Sequence, residues 1–401
     1  MKKKINLIAG LLLLAGSASF AQKSETQLQS MKQLIDEQFN FAVQQYKFLD
    51  KNIPAGLTPQ SYDAKNNKLV AYDIKWWCSG FYSGSLWYIY EQTRDAAVKK
   101  RAEKALKVIE PNQNYSGNHD LGFMMFCSFG NAYRLTKDPA YKTIIERSAA
   151  SLAKRYRPAI ESIQSWDKNK YWKCPVIIDN MMNLEMLNWV SDNGGDAKYK
   201  EIAVKHANTA LKNHFRPDFS SYHVVDYDLT TGKVNRKATW QGAADCSAWA
   251  RGQAWALYGY TMMYRDTKDQ KYLDQAKGIA HFILNHPNLP ADKIPFWDFD
   301  APKIPYAERD ASAGAIAASA LLELAQYTAE AKEKTEFLSS AETMIRSLAT
   351  PVYRAKLAQN GGFLLLHSTG ALPLNSEIDV PLVYADYYFL EALGRYKKWY
   401  L

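Results

Sequence analysis

Three stretches of the chain open alike: Asp138-Pro-Ala-Tyr141, Asp196-Ala-Lys-Tyr199 and Asp269-Gln-Lys-Tyr272. Each reads as a helix start, with Asp placed to accept from the free amides of the first turn and Tyr one turn on to pack inward. They begin charged, amphipathic segments over 138–156, 196–213 and 269–285, and segments of the same character lie over 95–110 and 333–349. Asp95-Ala-Ala-Val-Lys-Lys-Arg-Ala-Glu-Lys-Ala-Leu106 shows the pattern. Between them stand segments rich in small, apolar and aromatic residues, over 79–93, 119–136, 179–192, 246–266, 308–328 and 379–396. A helix apolar nearly all round is buried; one with a polar face lies outside. With 25–49 as a sixth outer segment, the chain reads as about twelve helices and no convincing strand series. Six outer–inner hairpins predict an all-α fold, an (α/α)6 barrel in which the inner helices run one way and the outer ones return. The connections are uneven, short at 111–118 and long at 157–178, 214–245 and 286–307. The long ones hold Pro, Trp, His and β-like pieces such as Tyr222-His-Val-Val-Asp226, and connections of that length are usually functional. No Pro-, Gly- or Ser-rich linker divides residues 22–401, which are expected to form one domain.

Composition bounds the partners. A chain of 401 residues, 47% hydrophobic and 23% charged, is neither disordered nor collagen-like. Its 26 Tyr, 11 Trp and 16 Phe either fill a large core or line a groove for flat ligands such as sugar rings. The formal charge is +9, with Lys2, Lys3 and Lys4 supplying three charges. Without them the balance is about +6, a mild tilt towards anionic partners. No run of five or more basic residues occurs, which argues against nucleic acid.

The N-terminus reads as a leader. Lys2–Lys4, the apolar run Ile5 to Ala18 and the small residues of Ser19-Phe-Ala21 predict a secretory signal peptide over residues 1–21, cut after Ala21. The run is too short to span a bilayer, and no Cys follows the cleavage point, so no membrane anchor is expected. The mature chain is expected to be soluble and exported, in the bacterial periplasm, as a monomer or weak homodimer. Cys78, Cys127, Cys174 and Cys246 are far apart and form no CxxC pair. A domain this large needs no staples, so four free, mostly buried thiols are expected. No metal and no cofactor is expected. HExxH, zinc-ligand spacing, a phosphate-cradling glycine loop and a dinucleotide fingerprint are all absent.

Parallel inner helices gather their N-termini at one end of the barrel. Five of the six starts carry Asp: Asp120, Asp179, Asp245, Asp310 and Asp379. Helix capping accounts for Asp at such positions, and Asp245, Asp310 and Asp379 are read mainly that way. Asp120 and Asp179 have more telling neighbours. Asp120 follows His119 after a Gly/Asn-rich approach, and Asp179 follows the apolar Pro175-Val-Ile-Ile178. Two carboxyls at adjacent helix starts can face each other, and repulsion plus desolvation then raises a pKa towards neutrality. The helix N-terminus pulls the other way. Trp240-Gln-Gly-Ala-Ala-Asp-Cys-Ser-Ala-Trp-Ala-Arg-Gly-Gln-Ala-Trp255 is the densest signal. Arg251, inside an apolar helix, either forms a salt bridge or grips a ligand carboxylate. Trp249 and Trp255 belong to the core or stack on sugar. His223 alone in a connection is more often structural than catalytic.

His119-Asp-Leu-Gly-Phe123, Ile178-Asp-Asn-Met-Met-Asn-Leu184, Ser247-Ala-Trp-Ala-Arg-Gly-Gln-Ala-Trp255, Asp310-Ala-Ser-Ala-Gly-Ala-Ile316 and Tyr384-Ala-Asp-Tyr-Tyr-Phe-Leu-Glu391 together resemble the unsaturated glucuronyl hydrolases, glycoside hydrolase family 88. The similarity runs from about Asp73 to Arg395, with the motifs in family order, and the family fold is the (α/α)6 barrel. The resemblance implies that Asp179 is the general acid and base and that Asp120 tunes it. It also implies that His119, His223, Gln241 and Arg251 surround the reacting sugar, with Trp77, Trp166, Trp249 and Trp255 as pocket walls. Asn180 departs from the Gly that relatives often carry there; Asn suits a capping role. The implied reaction hydrates the C4=C5 bond of the unsaturated uronate that lyases leave on glycosaminoglycan fragments, an anionic disaccharide or oligosaccharide. Three alternatives stand beside it. An unsaturated rhamnogalacturonyl hydrolase shares the fold, and the His119-Asp120 pair argues against it. A non-catalytic sugar-binding protein would be favoured by loss of a carboxylate. An epimerase would want a pair of inner-helix histidines.

Overall fold

The computed structural model describes residues 29–401, so the leader expected over residues 1–21 lies outside the described residues. The outer helices are α1 (Met31–Asn52), α3 (Ala96–Ile109), α5 (Pro139–Ala153), α7 (Lys198–Asn213), α9 (Gln270–Asn285) and α11 (Ala331–Leu348). The inner ones are α2 (Phe81–Thr93), α4 (Asn131–Thr136), α6 (Leu184–Asp192), α8 (Ala250–Thr267), α10 (Ala311–Tyr327) and α12 (Val383–Tyr400). A π-helical segment, Gly122–Gly130, leads into α4, and a 3-10 turn, Ile178–Asn183, leads into α6.

The repeated Asp openings behave as their sequence predicts. Asp95, Asp138, Asp196 and Asp269 each accept from the amide two residues on, that of Ala97, Ala140, Lys198 and Lys271. Each bond satisfies an amide that the first helical turn leaves free. The Tyr partners Tyr199 and Tyr272 are buried. The inner helices close a ring: α2 packs on the π segment, which packs on α6, followed by α8, α10 and α12, and α12 returns to α2. α10 is buried at every position from Ala311 to Ala325; its side chains there are small or apolar except Glu323, whose charge is met by Arg265 and Arg395. α1 closes the outer ring by packing on both α12 and α2.

The connections hold more strand than the periodicity suggests. Among the described residues seven short strands form three small antiparallel sheets: β1 (Thr58–Asp63) with β2 (Lys68–Tyr72), β3 (Tyr156–Arg157) with β4 (Ser162–Ile163), and β5 (Pro175–Ile177), β6 (Val224–Tyr227) and β7 (Val234–Ala238) in one sheet. Strands of two to six residues are too short for alternation to stand out in a sequence. Two expected caps are also corrected. Asp245 stands five residues ahead of α8 and accepts from Thr239 N at 2.8 Å. Asp379 sits in a loop at φ 52°, paired with His367 Nδ1 at 2.6 Å, while α12 begins only at Val383. In both places the connection makes further turns before the helix starts. Asp310 does cap α10, accepting from Ser312 N at 3.0 Å. All four cysteines are free; Cys78 and Cys174 are buried, Cys127 is half-buried and Cys246 is exposed. Among the described residues no helix is long and apolar enough to cross a membrane.

Candidate active site

Asp120 and Asp179 reach the mouth of the barrel by different local routes. β5 delivers Asp179, and β6 sets its register, because Ile178 N donates to His223 O at 3.0 Å. Asp120 stands just ahead of the π segment, its amide held by Asn118 Oδ1 at 3.0 Å. π geometry inserts a residue into a helix and is frequent at functional sites. The two turns are locked together. Phe123 N donates to Asn183 Oδ1 at 3.0 Å, and a Cβ on Gly122 would come within 2.5 Å of Asn183 Cα. Only glycine allows that approach.

Burial decides the electrostatics. Asp179 is 8% exposed, and desolvation pushes its carboxyl up to about 7, with the Arg251 guanidinium pulling the other way. Desolvation first, then the charge of Asp179, pushes Asp120 up to about 8, opposed by Arg155 and the Asn183 carboxamide. Repulsion between two charges is mutual, so the protons belong to the pair, which keeps one carboxyl protonated near neutral pH.

Two histidines flank the carboxyls, one each. His119 Nε2 lies 3.5 Å from Asp120 Oδ1, and His223 Nε2 lies 3.6 Å from Asp179 Oδ2. Burial lowers His119 to about 3 and His223 well below its ordinary value, so both rings are neutral at neutral pH. The tautomer of His223 follows from its other nitrogen. Trp240 N and Gln241 N both donate to Nδ1, at 3.1 and 3.2 Å. Nδ1 is therefore an acceptor, and Nε2 carries the proton that faces Asp179. That nitrogen and Asp179 Oδ2 are both buried and lack a hydrogen-bond partner, each standing just beyond bonding distance of the other. His206 and His214 take structural places instead: His206 Nδ1 accepts from Ile163 N, and His214 Nε2 meets Val176 O.

Trp249 packs against both His223 and Arg251. Its ring lies 4.5 Å from the tilted His223 ring and 4.5 Å from the Arg251 guanidinium. Arg251 is 1% exposed and already engaged, by Asp310 Oδ2 at 2.8 Å, Thr369 O at 2.7 Å and Gly370 O at 2.5 Å. Of the two alternatives for this residue, the structure has the salt bridge. Trp77 is half-buried against Tyr384 and Phe123. Trp255 is fully buried between Phe123 and Tyr388, a core position rather than an open wall. Trp166 packs with Trp240 against Trp172, Ile177, Val224 and Ala238 of the β5–β6–β7 region, next to Ser165, whose carbonyl accepts from His119 N at 3.2 Å. Gln241 donates through Nε2 to Gly370 O at 3.0 Å. Asn180 does not cap: its Nδ2 donates to Ile163 O at 2.7 Å, tying β4 to the Asp179 turn. The sequence reading gave no role to Asn183, Arg155 or Tyr384: Asn183 and Tyr384 lay inside the quoted Ile178–Leu184 and Tyr384–Glu391 runs, and Arg155 carries no motif of its own.

A closed ring of helix hairpins, with two proton-sharing carboxyls at its mouth beside neutral imidazoles and aromatic rings, has the equipment of a carbohydrate-active hydrolase. The sequence agrees: the chain belongs to Glycosyl Hydrolase Family 88, whose family pattern matches residues 55–294. It is 46% identical to the unsaturated glucuronyl hydrolase of Formosa agariphila over 378 residues, 93% of each chain. It is 34% identical to the unsaturated chondroitin disaccharide hydrolase of Streptococcus agalactiae over 350 residues, 86% of each chain. Among solved structures, an unsaturated glucuronyl hydrolase specific for heparin superposes with a TM-score of 0.88 at 44% identity, over 91% of this chain and 97% of that one.

Proposed function

We propose that this chain is an unsaturated glucuronyl hydrolase that removes the non-reducing-end Δ4,5 uronate from lyase-generated glycosaminoglycan oligosaccharides. The observation that carries the reading is the Asp179 carboxyl, protonated up to about pH 7 and facing an unpartnered His223 N–H. The vinyl ether of the substrate needs an acid that still holds its proton near working pH. Asp179 gives that proton to C4, and positive charge develops at C5 and the ring oxygen. The Asp179 carboxylate then takes a proton from water as the water oxygen bonds to C5. The hemiketal opens and frees the next sugar, with one water consumed. Asp120 keeps the shared proton on the pair by repulsion. Neutral His223 orients a carboxylate oxygen or a substrate oxygen without giving up its own proton. Arg251, held by Asp310, acts as a fixed positive charge that limits how far the Asp179 pKa rises.

The test is a panel of unsaturated disaccharides from heparin, chondroitin, hyaluronan and pectin, followed by loss of the ultraviolet absorbance of the conjugated double bond. Heparin-type fragments come first, because the heparin-specific relative shares more of this sequence than the chondroitin-acting one. Turnover of at least one glycosaminoglycan disaccharide is expected, with a saturated glucuronide inert. Activity on none, or on the pectin fragment alone, overturns the assignment. The basic, apolar N-terminus supports export of the mature chain from Gln22; intact mass of the protein from its native host tests this, and retention of residues 1–21 refutes it.

A further inference from the structure

The hairpin β1–β2 forms part of the rim, and next to it two aromatic rings stand in the open. Tyr72 and Trp76 are each 40% exposed, yet they stack on one another, with centroids 4.8 Å apart and planes 30° apart. The step is fixed rather than loose. Trp76 Nε1 donates to Gln60 Oε1 at 3.2 Å, and Gln60, itself 1% exposed, donates to Glu377 Oε1. Gly370 N donates to Glu377 O at 2.7 Å, and Gly370 O receives both Gln241 Nε2 and Arg251 Nη2. Hydrogen bonds through Gln60, Glu377 and Gly370, linked by the Glu377 and Gly370 residues themselves, tie the exposed indole to Gln241 and Arg251. The backbone adds a second link: Trp77, the next residue, packs on Tyr384 and Phe123 inside the mouth.

We propose that Tyr72 and Trp76 form a platform for the sugar rings that follow the terminal disaccharide of a longer substrate. The inference rests on the hydrolase reading above. Two side chains, Glu377 and Gln60, stand between Trp76 and the Arg251 cluster, so the platform lies one step out from the reacting uronate. A pyranose presents a flat C–H face and an edge of hydroxyls. An exposed indole matches the face, and the half-buried Glu377 carboxylate beside it accepts from the edge. Exposed stacked aromatics rimmed by polar groups mark contact surfaces, and continuity with the active-site mouth selects the oligosaccharide over another occupant.

The experiment compares kcat/KM on an unsaturated disaccharide and an unsaturated tetrasaccharide from one lyase digest, for wild type, Trp76→Phe and Trp76→Ala. Wild type should prefer the tetrasaccharide. Trp76→Ala should cut the tetrasaccharide-to-disaccharide ratio by roughly 2- to 12-fold, the range a single stacked ring supplies, mainly through KM. Trp76→Phe, which keeps a ring in the same space, should fall between and serves where the alanine variant melts early. A wild-type ratio of one with an active disaccharide overturns the platform alone, and so does a ratio that survives Trp76→Ala. A shift in oligomeric state in the alanine variant, read by light scattering, overturns it in favour of a contact between copies. Inactivity of wild type on both lengths overturns the hydrolase reading and the platform with it.

Discussion

Asp179→Asn separates the acid's role in turnover from its effect on stability. The folded carboxyl holds its proton up to about pH 7, whereas its ordinary value is 3.8. Between those values the unfolded chain binds fewer protons than the folded one, so stability falls as pH rises from about 4 to about 7 and is level above that. At about 1.4 kcal/mol per pH decade, the ionised group destabilises the fold by up to about 4 kcal/mol. Asn fills the same space without a charge. The variant should match wild type near pH 4 and exceed it at pH 8, by up to about 4 kcal/mol. With an unfolding entropy of roughly 2.1 cal/mol/K per residue, that is a rise in Tm of about 5 °C. Turnover should drop by roughly 10²- to 10⁴-fold, the usual contribution of a general acid–base. Calorimetric melts from pH 4 to pH 8, run beside the ultraviolet assay, read both quantities on one preparation. A variant that melts below wild type at pH 8 refutes the desolvated-carboxyl account. One that keeps full turnover refutes Asp179 as the acid.

Asp120→Asn removes the neighbouring negative charge, so Asp179 ionises more easily and the alkaline limb of the pH–rate profile should move to lower pH; an unmoved limb would mean the two carboxyls do not communicate. Gly122→Ala drives a Cβ to 2.5 Å from Asn183 Cα, and overpacking of this kind destabilises by about 1–3 kcal/mol. Its melting temperature should fall and its activity with it, since the shift separates the two acid-bearing turns; an unchanged melt would show that they are not locked. Arg251→Lys keeps the charge opposite Asp310 but gives up the forked bonds to Thr369 and Gly370, and each such hydrogen bond from a charged group is worth about 1.5–3 kcal/mol. A lower Tm shared with Asp310→Asn is expected; a raised KM at unchanged Tm would instead show Arg251 gripping the substrate directly.

The fate of the aspartates shows how far local reading reaches. Asp95, Asp138, Asp196 and Asp269 bond to amides two residues away, and an interaction that short is written in the sequence. Asp245 and Asp379 have the same look, yet one bonds Thr239 and the other His367. Their partners are set by the path of a connection, and no periodicity encodes that path. Arg251 makes the point at longer range: the sequence poses the choice between a salt bridge and a ligand, and only Asp310, 59 residues on, decides it.

The barrel is legible in local side-chain patterns. Whether a helix is amphipathic or apolar all round is fixed by side chains three and four residues apart, so six alternations of the two kinds sufficed for six hairpins. The sequence also places Asp120 and Asp179 at inner-helix starts. What those carboxyls do with a proton was left to the tertiary structure. Burial, the mutual approach of the two turns through Gly122 and Asn183, and the counter-charges of Arg251 and Arg155 set their affinity for it. The same holds for His223, whose proton is assigned to Nε2 by two amides from a strand connection. Desolvation and charge–charge energies depend on distances across the fold, and residues far apart in the chain supply nearly every term.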